Sequence, residues 1–322
     1  MAGKKKEEDD DDTTENEKPQ LSGPERIWQF QQKHSISDIF DTSKPWVLVD
    51  EGSFLGFFDF VPPKFRNGPW LSIPTSYLAG ILYLLAVGAL YVFTTQSPEE
   101  GWMNLYKQID TYEAFTPSWW YNLIGFLWTS FVSWNVLTAS PLGAAAWASY
   151  TLQSWTYLTL RHGLCALAPF TPPLITVAAE ILRFPVLITA SVTFTIWNFV
   201  LAPIVVVVFV KDNEQRKKFI QYFTNFRLTQ LHVFNILFAT INGAFTVPTR
   251  SLHYGDLIVA GVLVVQYMVW YYSVLDRFGI HLYPIFSPRT YLSILSWNLI
   301  LVSYFGGFWA WQRFLSSPET SI

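Results

Sequence analysis

Charged residues are scarce in this sequence. They make up 14% of the 322 residues, whereas hydrophobic residues make up 51% and aromatic residues 18%. An ordinary soluble domain carries about a quarter charged residues, so this deficit indicates a chain that contacts lipid over much of its length. The net charge of −3 comes largely from the N-terminal segment, so the composition gives no indication of nucleic-acid binding.

Paired cysteines, clustered histidines and an apolar leader are also lacking. The single cysteine, Cys165, excludes a disulfide within the chain. The five histidines are far apart and show no HxxxH or HxxHH spacing, so we expect no metal site and no cofactor. Residues 1–18 hold no apolar core segment, so we expect no cleavable signal peptide.

The front of the chain differs in composition from the rest. Residues 1–22 are mostly lysine, acidic residues and threonine, which predicts a disordered acidic tail. Residues 23–72 mix aromatic residues with prolines and charges, which fits a small cytosolic subdomain or a segment on the membrane surface. Residues 73–118 hold one apolar run and a loop, and residues 119–315 hold the remaining apolar runs.

Seven apolar runs are long enough to cross a bilayer, which takes about 20 residues. The sequence therefore predicts an all-α, polytopic membrane bundle of about seven transmembrane helices. Prolines interrupt the third run and asparagines dilute the fifth, but neighbouring helices satisfy the backbone groups that such residues free. The predicted spans are Ile73–Thr94, Trp119–Ser140, Leu158–Ala178, Phe184–Val210, Thr229–Val247, Leu257–Leu275 and Tyr291–Trp311.

Lysine and arginine are unevenly distributed between the predicted loops. Nine lie on the side of the N-terminus, most of them between Lys211 and Arg227, and four lie on the other side. Because cytoplasmic loops are enriched in these residues, we expect the N-terminus in the cytoplasm. The protein is then a multi-pass integral membrane protein of the endoplasmic reticulum, another endomembrane or the plasma membrane.

Ionisable residues are almost absent from the predicted spans, which disfavours an ion carrier or pump. What remains is hydroxyl and imidazole chemistry, in which a base activates a threonine hydroxyl as a nucleophile. Thr159 lies in the first turn of the third span and His232 in the first turn of the fifth. Both spans run in the same direction, so we expect the two side chains at similar depth near the cytoplasmic boundary. His162 and His281 are alternative bases, whereas His253 belongs to the opposite face.

A structural role for these residues stays open at this point. Threonines of membrane helices often donate to a carbonyl one turn earlier, and histidines often join neighbouring helices through hydrogen bonds. The chain would then be a non-catalytic scaffold or a lipid-binding protein.

Five segments of the C-terminal half resemble the androgen-induced family of integral membrane proteins, in the same order and with similar spacing. The first resembles W-x-Y-L-T-F at the start of a spanning helix, and the third resembles M-H-T. The first 118 residues have no counterpart in that family, which implies a six-helix core plus one extra N-terminal span. The segments are SWTYLTL (Ser154–Leu160), LRFPVL (Leu182–Leu187), Leu231–His232 before an apolar helix, VPTR (Val247–Arg250) and GIHLYPIF (Gly279–Phe286).

The resemblance implies a threonine hydrolase of lipid metabolism that cleaves fatty acid esters of hydroxy fatty acids. Carried over by position, the catalytic threonine is Thr159 and the catalytic histidine is His232, without metal or cofactor. The expected partners are a lipid ester substrate and membrane lipids. The family's N-H-G before the histidine is replaced here by Leu228, Thr229 and Gln230, and this departure favours the non-catalytic alternative.

A cysteine introduced at Asn213, in a chain that also carries Cys165→Ala, tests the expected orientation. Because the surrounding loop is rich in lysine and arginine, we expect an impermeant thiol reagent to label it once the plasma membrane alone is permeabilised. Labelling of intact cells, or labelling that requires opening of the organelle membranes, would reverse the orientation.

Overall fold

A computed structural model describes residues 69–94, 112–139, 143–204, 206, 213–246, 250–275, 283–288, 290 and 292–316. These residues are almost entirely helical, and no β-strand lies among them. The all-α expectation is therefore confirmed for this part of the chain. The predicted acidic tail, residues 1–22, and nearly all of the segment 23–72 lie outside the described residues.

Most of the described chain is α-helical, and it also contains short π-helical segments, in which the backbone turn is one residue wider. The α-helices are α1 (Pro69–Thr94), α2 (Pro117–Ala139), α3 (Tyr150–Leu167), α4 (Pro173–Ile181), α5 (Arg183–Thr195), α6 (Ala202–Ile204), α7 (Asn213–Phe223), α8 (Phe226–Thr229), α9 (Asn235–Thr240), α10 (Tyr254–Trp270) and α11 (Leu292–Leu315). The π-helical segments are π1 (Ile196–Leu201), π2 (Gln230–Phe234), π3 (Ile241–Phe245) and π4 (Tyr271–Leu275).

Among the described residues, four helices are long and apolar enough to cross a membrane: Leu71–Thr94, Pro173–Leu201, Tyr254–Leu275 and Leu292–Leu315. Large apolar side chains also remain exposed on the outside of the bundle, such as Phe93, which is 87% exposed. An apolar surface of this extent suits lipid rather than water. These features are consistent with the membrane protein that the composition indicates.

Helix α3 begins at Tyr150, whereas the sequence pattern predicted a span that starts at Leu158. Ser149 caps the helix, because its hydroxyl oxygen accepts a hydrogen bond from the amide of Leu152 at 3.2 Å. The first turns carry polar side chains, and their low hydropathy excluded these turns from the predicted span. These side chains bond to protein instead of water, as Ser154 does when its hydroxyl donates to a threonine of α5 at 3.0 Å.

The same predicted span is divided at its other end. Helix α3 stops at Leu167, and the chain resumes as α4 from Pro173. Proline lacks an amide donor and its ring collides with the preceding turn, so consecutive prolines end a helix. Helix α4 continues through α5 into π1, and these three form one long helical rod. The fourth predicted span therefore begins at Pro173 rather than at Phe184.

A buried ion-pair network joins helices at one end of the bundle. Glu180, which is 1% exposed, accepts hydrogen bonds from Arg183 at 2.7 and 2.9 Å and from Arg250 at 2.8 Å. It also accepts a hydrogen bond from the hydroxyl of Tyr112 at 2.6 Å, and Arg161 of α3 lies 3.5 Å away. One carboxylate therefore connects α3, α4, α5 and the segment before α10.

Asp256 completes this network from the first turn of α10. Its two carboxylate oxygens accept hydrogen bonds from Arg250 at 2.7 and 2.8 Å. One of them also accepts from the backbone amide of His253 at 3.0 Å, which caps the helix. Two carboxylates are therefore paired with three arginines inside the protein.

Replacing Glu180 by Gln tests how far the fold depends on this network. The substitution leaves Arg161, Arg183 and Arg250 without their shared carboxylate, and we expect a loss of about 3–5 kcal/mol in the free energy of unfolding. Glu214→Gln is the matched control, because the Glu214–Lys217 pair is 70% or more exposed and such pairs contribute less than about 1 kcal/mol. Equal thermal stability of the two variants in detergent would contradict the assignment.

Candidate functional site

His232 lies in π2 and is 4% exposed. Its Nδ1 lies 3.0 Å from the carbonyl oxygen of Leu228, and its Nε2 lies 3.3 Å from the Oγ1 of Thr151. A carbonyl only accepts hydrogen bonds, so Nδ1 must carry the proton. Nε2 then presents a lone pair to the threonine hydroxyl, which is the arrangement of a general base beside a nucleophile.

Thr151 lies in the first turn of α3 and is 6% exposed. Its hydroxyl oxygen is also 3.3 Å from the phenol oxygen of Tyr283. The hydroxyl of Tyr271, in π4, holds the backbone of Tyr283: it donates to the carbonyl at 3.1 Å and accepts from the amide at 3.2 Å. Burial raises the pKa of Tyr283, so its phenol stays protonated and is available to donate to Thr151.

Trp197 of π1 fixes the plane of the imidazole. Its ring stacks on His232 with the centroids 3.9 Å apart, and it stacks on Phe223 of α7 at 5.1 Å. The next residue, Asn198, donates to the carbonyl of His232 at 3.1 Å. Segments π1 and π2 therefore meet at the histidine, and π-helical turns are frequent at functional sites.

A small cavity of about 20 Å³ adjoins this cluster. That volume is room for about one water molecule. The surface that the wall exposes is apolar, and Thr151, Trp197 and Tyr283 are among the residues that form it. The lining residues are Tyr150, Thr151, Val192, Thr193, Ile196, Trp197, Leu201, Tyr283, Phe286 and Ile300.

The structure does not bring Thr159 and His232 together. The Thr159 hydroxyl donates to the carbonyl of Trp155 at 2.9 Å. Thr151 and Thr159 are separated by eight residues of one helix, which amounts to about 12 Å along its axis. The depth argument from the sequence assumed a helix that starts at Leu158, and with the start at Tyr150 the threonine of the first turn is Thr151.

Contacts between α3 and the rod that contains π2, α9 and π3 give the same result. Thr151 contacts His232, Ser154 bonds to Asn235, and Arg161 bonds to Asn242, each pair 81 positions apart in sequence. The two rods are therefore parallel, and their paired residues keep a constant offset in sequence. With the same offset, Thr159 is level with Thr240. As a nucleophile, Thr159 stays a prediction from the family resemblance.

The alternative base His162 lies at the other end of α3. Its Nδ1 is 3.0 Å from the side-chain oxygen of Asn122 and 3.1 Å from the side-chain nitrogen of Asn242. It has no threonine or serine partner among the described contacts, and His281 lies outside the described residues. No group of three histidine, cysteine, aspartate or glutamate residues that could bind a metal occurs in the described ranges.

Comparison with known proteins identifies no matching family model, no matching curated protein and no matching solved structure. The likeness to the androgen-induced family therefore stays a prediction from the five sequence segments. The geometry around His232 joins a base and a hydroxyl beside a small apolar cavity.

Gly125 allows the close packing of α2 against the His162 ring, and replacing it by Ala tests this contact. A methyl group at this position would lie 2.6 Å from the ring, so we expect a loss of about 1–3 kcal/mol in thermal unfolding experiments. Gly88→Ala in α1 is the control, since nothing lies within 4 Å of the added carbon. If Gly125→Ala is as stable as Gly88→Ala, the position of His162 is wrong.

Proposed function

We propose that this protein is a membrane-embedded hydrolase of lipid esters, with His232 as the general base. The observation that carries the proposal is the 3.3 Å contact between the Nε2 of His232 and the hydroxyl of Thr151 at the wall of an apolar cavity. Carriers and pumps need ionisable groups along a path, whereas this cluster offers one neutral base and one hydroxyl. Such a pair is suited to acyl transfer.

Thr151 takes the role of the nucleophile in this proposal. Its oxygen attacks the ester carbonyl carbon while its proton passes to the Nε2 of His232. The resulting imidazolium then protonates the alkoxide that leaves, and an acyl-threonine remains. His232 next takes a proton from water, which attacks the acyl-threonine and releases the fatty acid, and the imidazolium then returns this proton to the Thr151 oxygen. A positioned base contributes about 10²–10⁴-fold to such a reaction.

The substrate class follows from the setting of the site. The Thr151–His232 pair lies among apolar helices, which favours a substrate with apolar chains. The family resemblance narrows the class to fatty acid esters of hydroxy fatty acids. In such an ester two apolar chains meet at a single internal carbonyl group, which suits one polar pair among apolar helices.

We further propose that seven helical rods span the bilayer, as the sequence predicted. They are α1, α2, α3, the rod from α4 to π1, the rod from α8 to π3, α10 with π4, and α11. The three rods with less apolar sequences are α2, α3 and the rod from α8 to π3. Helix α3 is packed between α2, α5 and α9, so its polar side chains contact protein rather than lipid. Helix α2 carries exposed aromatic residues such as Trp134, which is 69% exposed, and these side chains are suited to lipid contact.

The orientation is a proposal as well. Phe223, at the end of the basic helix α7, stacks on Trp197 beside the cavity, so the cavity and the basic loop share one end of the bundle. With this loop in the cytoplasm, the ester would be hydrolysed just inside the cytoplasmic boundary, where water for deacylation is available. The ion-pair network around Glu180 would then lie at the opposite end.

A non-catalytic lipid-binding protein is the second candidate. The observation that favours it is the partner of His232 Nδ1, which is the backbone carbonyl of Leu228 rather than a carboxylate. A buried carboxylate stabilises the imidazolium that forms during catalysis in hydrolases with a triad. A lipid binder with this site would retain the cavity and lack turnover.

Two substitutions in purified full-length protein, alone and combined, test the hydrolase and its nucleophile. Thr151→Val removes the hydroxyl without changing the shape of the side chain, and His232→Gln removes the base. We expect either change to lower kcat for a fatty acid ester of a hydroxy fatty acid by at least about 100-fold. The double variant should be little worse than the single variants, because residues that act as a unit are not additive.

Thr159→Val separates the two candidate nucleophiles. Its hydroxyl bonds to the carbonyl of Trp155, so the geometry predicts activity close to that of the native protein. Thr240→Val is the matched control, since that hydroxyl donates to the carbonyl of Ile236 at 2.7 Å in the same way. Loss of turnover in Thr159→Val with Thr151→Val active would assign the role to Thr159. A native protein without any ester hydrolysis would leave the lipid-binding candidate.

A further inference from the structure

Helix α7 and the start of α8 carry a surplus of positive charge. Lys218 is exposed and has no hydrogen-bond or ion-pair partner in the described part of the chain. Lys217 pairs with Glu214 at 2.9 Å, but both side chains are 70% or more exposed, so the pair is weak and leaves the ammonium accessible to other anions. From 213 to 227 four residues are basic and one is acidic: Arg216, Lys217, Lys218 and Arg227 against Glu214.

The opposite face of α7 is attached to the bundle. Phe223 stacks on Trp197 with the ring centroids 5.1 Å apart, and the Nε of Arg216 donates to the carbonyl of Val206 at 3.2 Å. These two contacts make α7 antiparallel to the segment that leads from Trp197 to Val206. A helix rises about 1.5 Å per residue, so the two lysines lie roughly 8–9 Å beyond Phe223 along the axis of α7. They are therefore nearer the end of the bundle than Trp197 is.

Exposed apolar side chains border the two lysines. Ile220 is 46% exposed and Tyr222 is 57% exposed. With 3.6 residues per turn, Lys217 and Lys218 lie on the outer face of α7 between these two side chains. A basic face with apolar residues beside it is typical of helices in the headgroup layer of a membrane. Only two residues separate α7 from α8, which begins a proposed span, so α7 belongs at the membrane boundary.

We propose that the outer face of α7 binds the headgroups of anionic membrane lipids, such as phosphatidylserine. The negative headgroups pair with Lys217 and Lys218, and Ile220 and Tyr222 contact the region where headgroups and acyl chains meet. With the orientation proposed above, α7 faces the cytoplasmic leaflet, which carries the anionic lipids. A lysine near such a surface contributes about 5-fold in affinity. This inference goes beyond the proposed hydrolase, because lipid binding at α7 involves no reaction.

Photo-crosslinking from α7 identifies the lipid that lies against it. Gln221 is exposed and lies one turn from both lysines, so p-benzoylphenylalanine replaces it in the full-length protein. The vesicles contain equal amounts of phosphatidylserine and phosphatidylcholine with the same acyl chains, and lipid adducts are quantified by peptide mass spectrometry. We expect phosphatidylserine adducts to exceed phosphatidylcholine adducts by about 5-fold or more. The same probe at Val302 of α11, which is 67% exposed, should give similar amounts of both.

Substitutions of Lys218 test whether its charge causes the enrichment. Lys218→Gln should lower the ratio of the two adducts at position 221 by about 5-fold, whereas Lys218→Arg keeps the charge and should keep the ratio. Arg313→Gln is the matched control, because Arg313 is an exposed cation at the other end of the bundle. The preceding residue, Gln312, donates to the carbonyl of Leu252 at 3.1 Å, close in sequence to the ion-pair network. The control should keep the ratio.

Equal adducts of the two lipids at position 221, or an unchanged ratio in Lys218→Gln, would overturn the lipid site. A ratio that falls as far in Lys218→Arg or in Arg313→Gln as in Lys218→Gln would also overturn it, since the cause would then be side-chain shape or net charge. The cross-linking signal needs no turnover. A protein without ester hydrolysis can therefore retain this site, and an active hydrolase can lack it.

Discussion

The carboxylate of Glu180 is the group on which the arrangement of the helices depends. It is buried and bonded to two arginines, with a third 3.5 Å away, and these arginines come from three different segments of the chain. An unpaired charge in the interior of a protein is far more costly than a lost apolar contact. The segments must therefore meet at this carboxylate, which fixes their positions along the bundle axis.

The ion-pair network around Glu180 determines which residues meet at the other end of the bundle. Helix α3 runs from Arg161 in the network to Thr151 at the cavity, and the rod beside it runs in step from Asn242 to His232. A shift of either rod by one turn would move Thr151 away from the imidazole by about 5.4 Å. The ion pairs at one end thus contribute to the geometry of the candidate site at the other.

The sequence predicted the helical class of the described region, because long apolar runs are local features, and the role of His232 as a base stays a prediction. It did not predict that α3 starts at Tyr150, since the polar side chains of its first turns are satisfied by contacts distant in sequence. The one local signal was Ser149, a good capping residue. The π-helical crossing of Trp197 and His232 depends on tertiary packing, so no sequence pattern indicates it.

The central claim is that the Thr151 hydroxyl, beside His232 and an apolar cavity, is the reactive group of this protein. Mapping a covalent adduct tests it most directly. Membranes containing the native protein are treated with a fluorophosphonate that carries a long alkyl chain, and the modified residue is identified by peptide mass spectrometry. The account predicts an adduct on Thr151 that is absent in His232→Gln. An adduct on Thr159, or no adduct on either threonine, would contradict it.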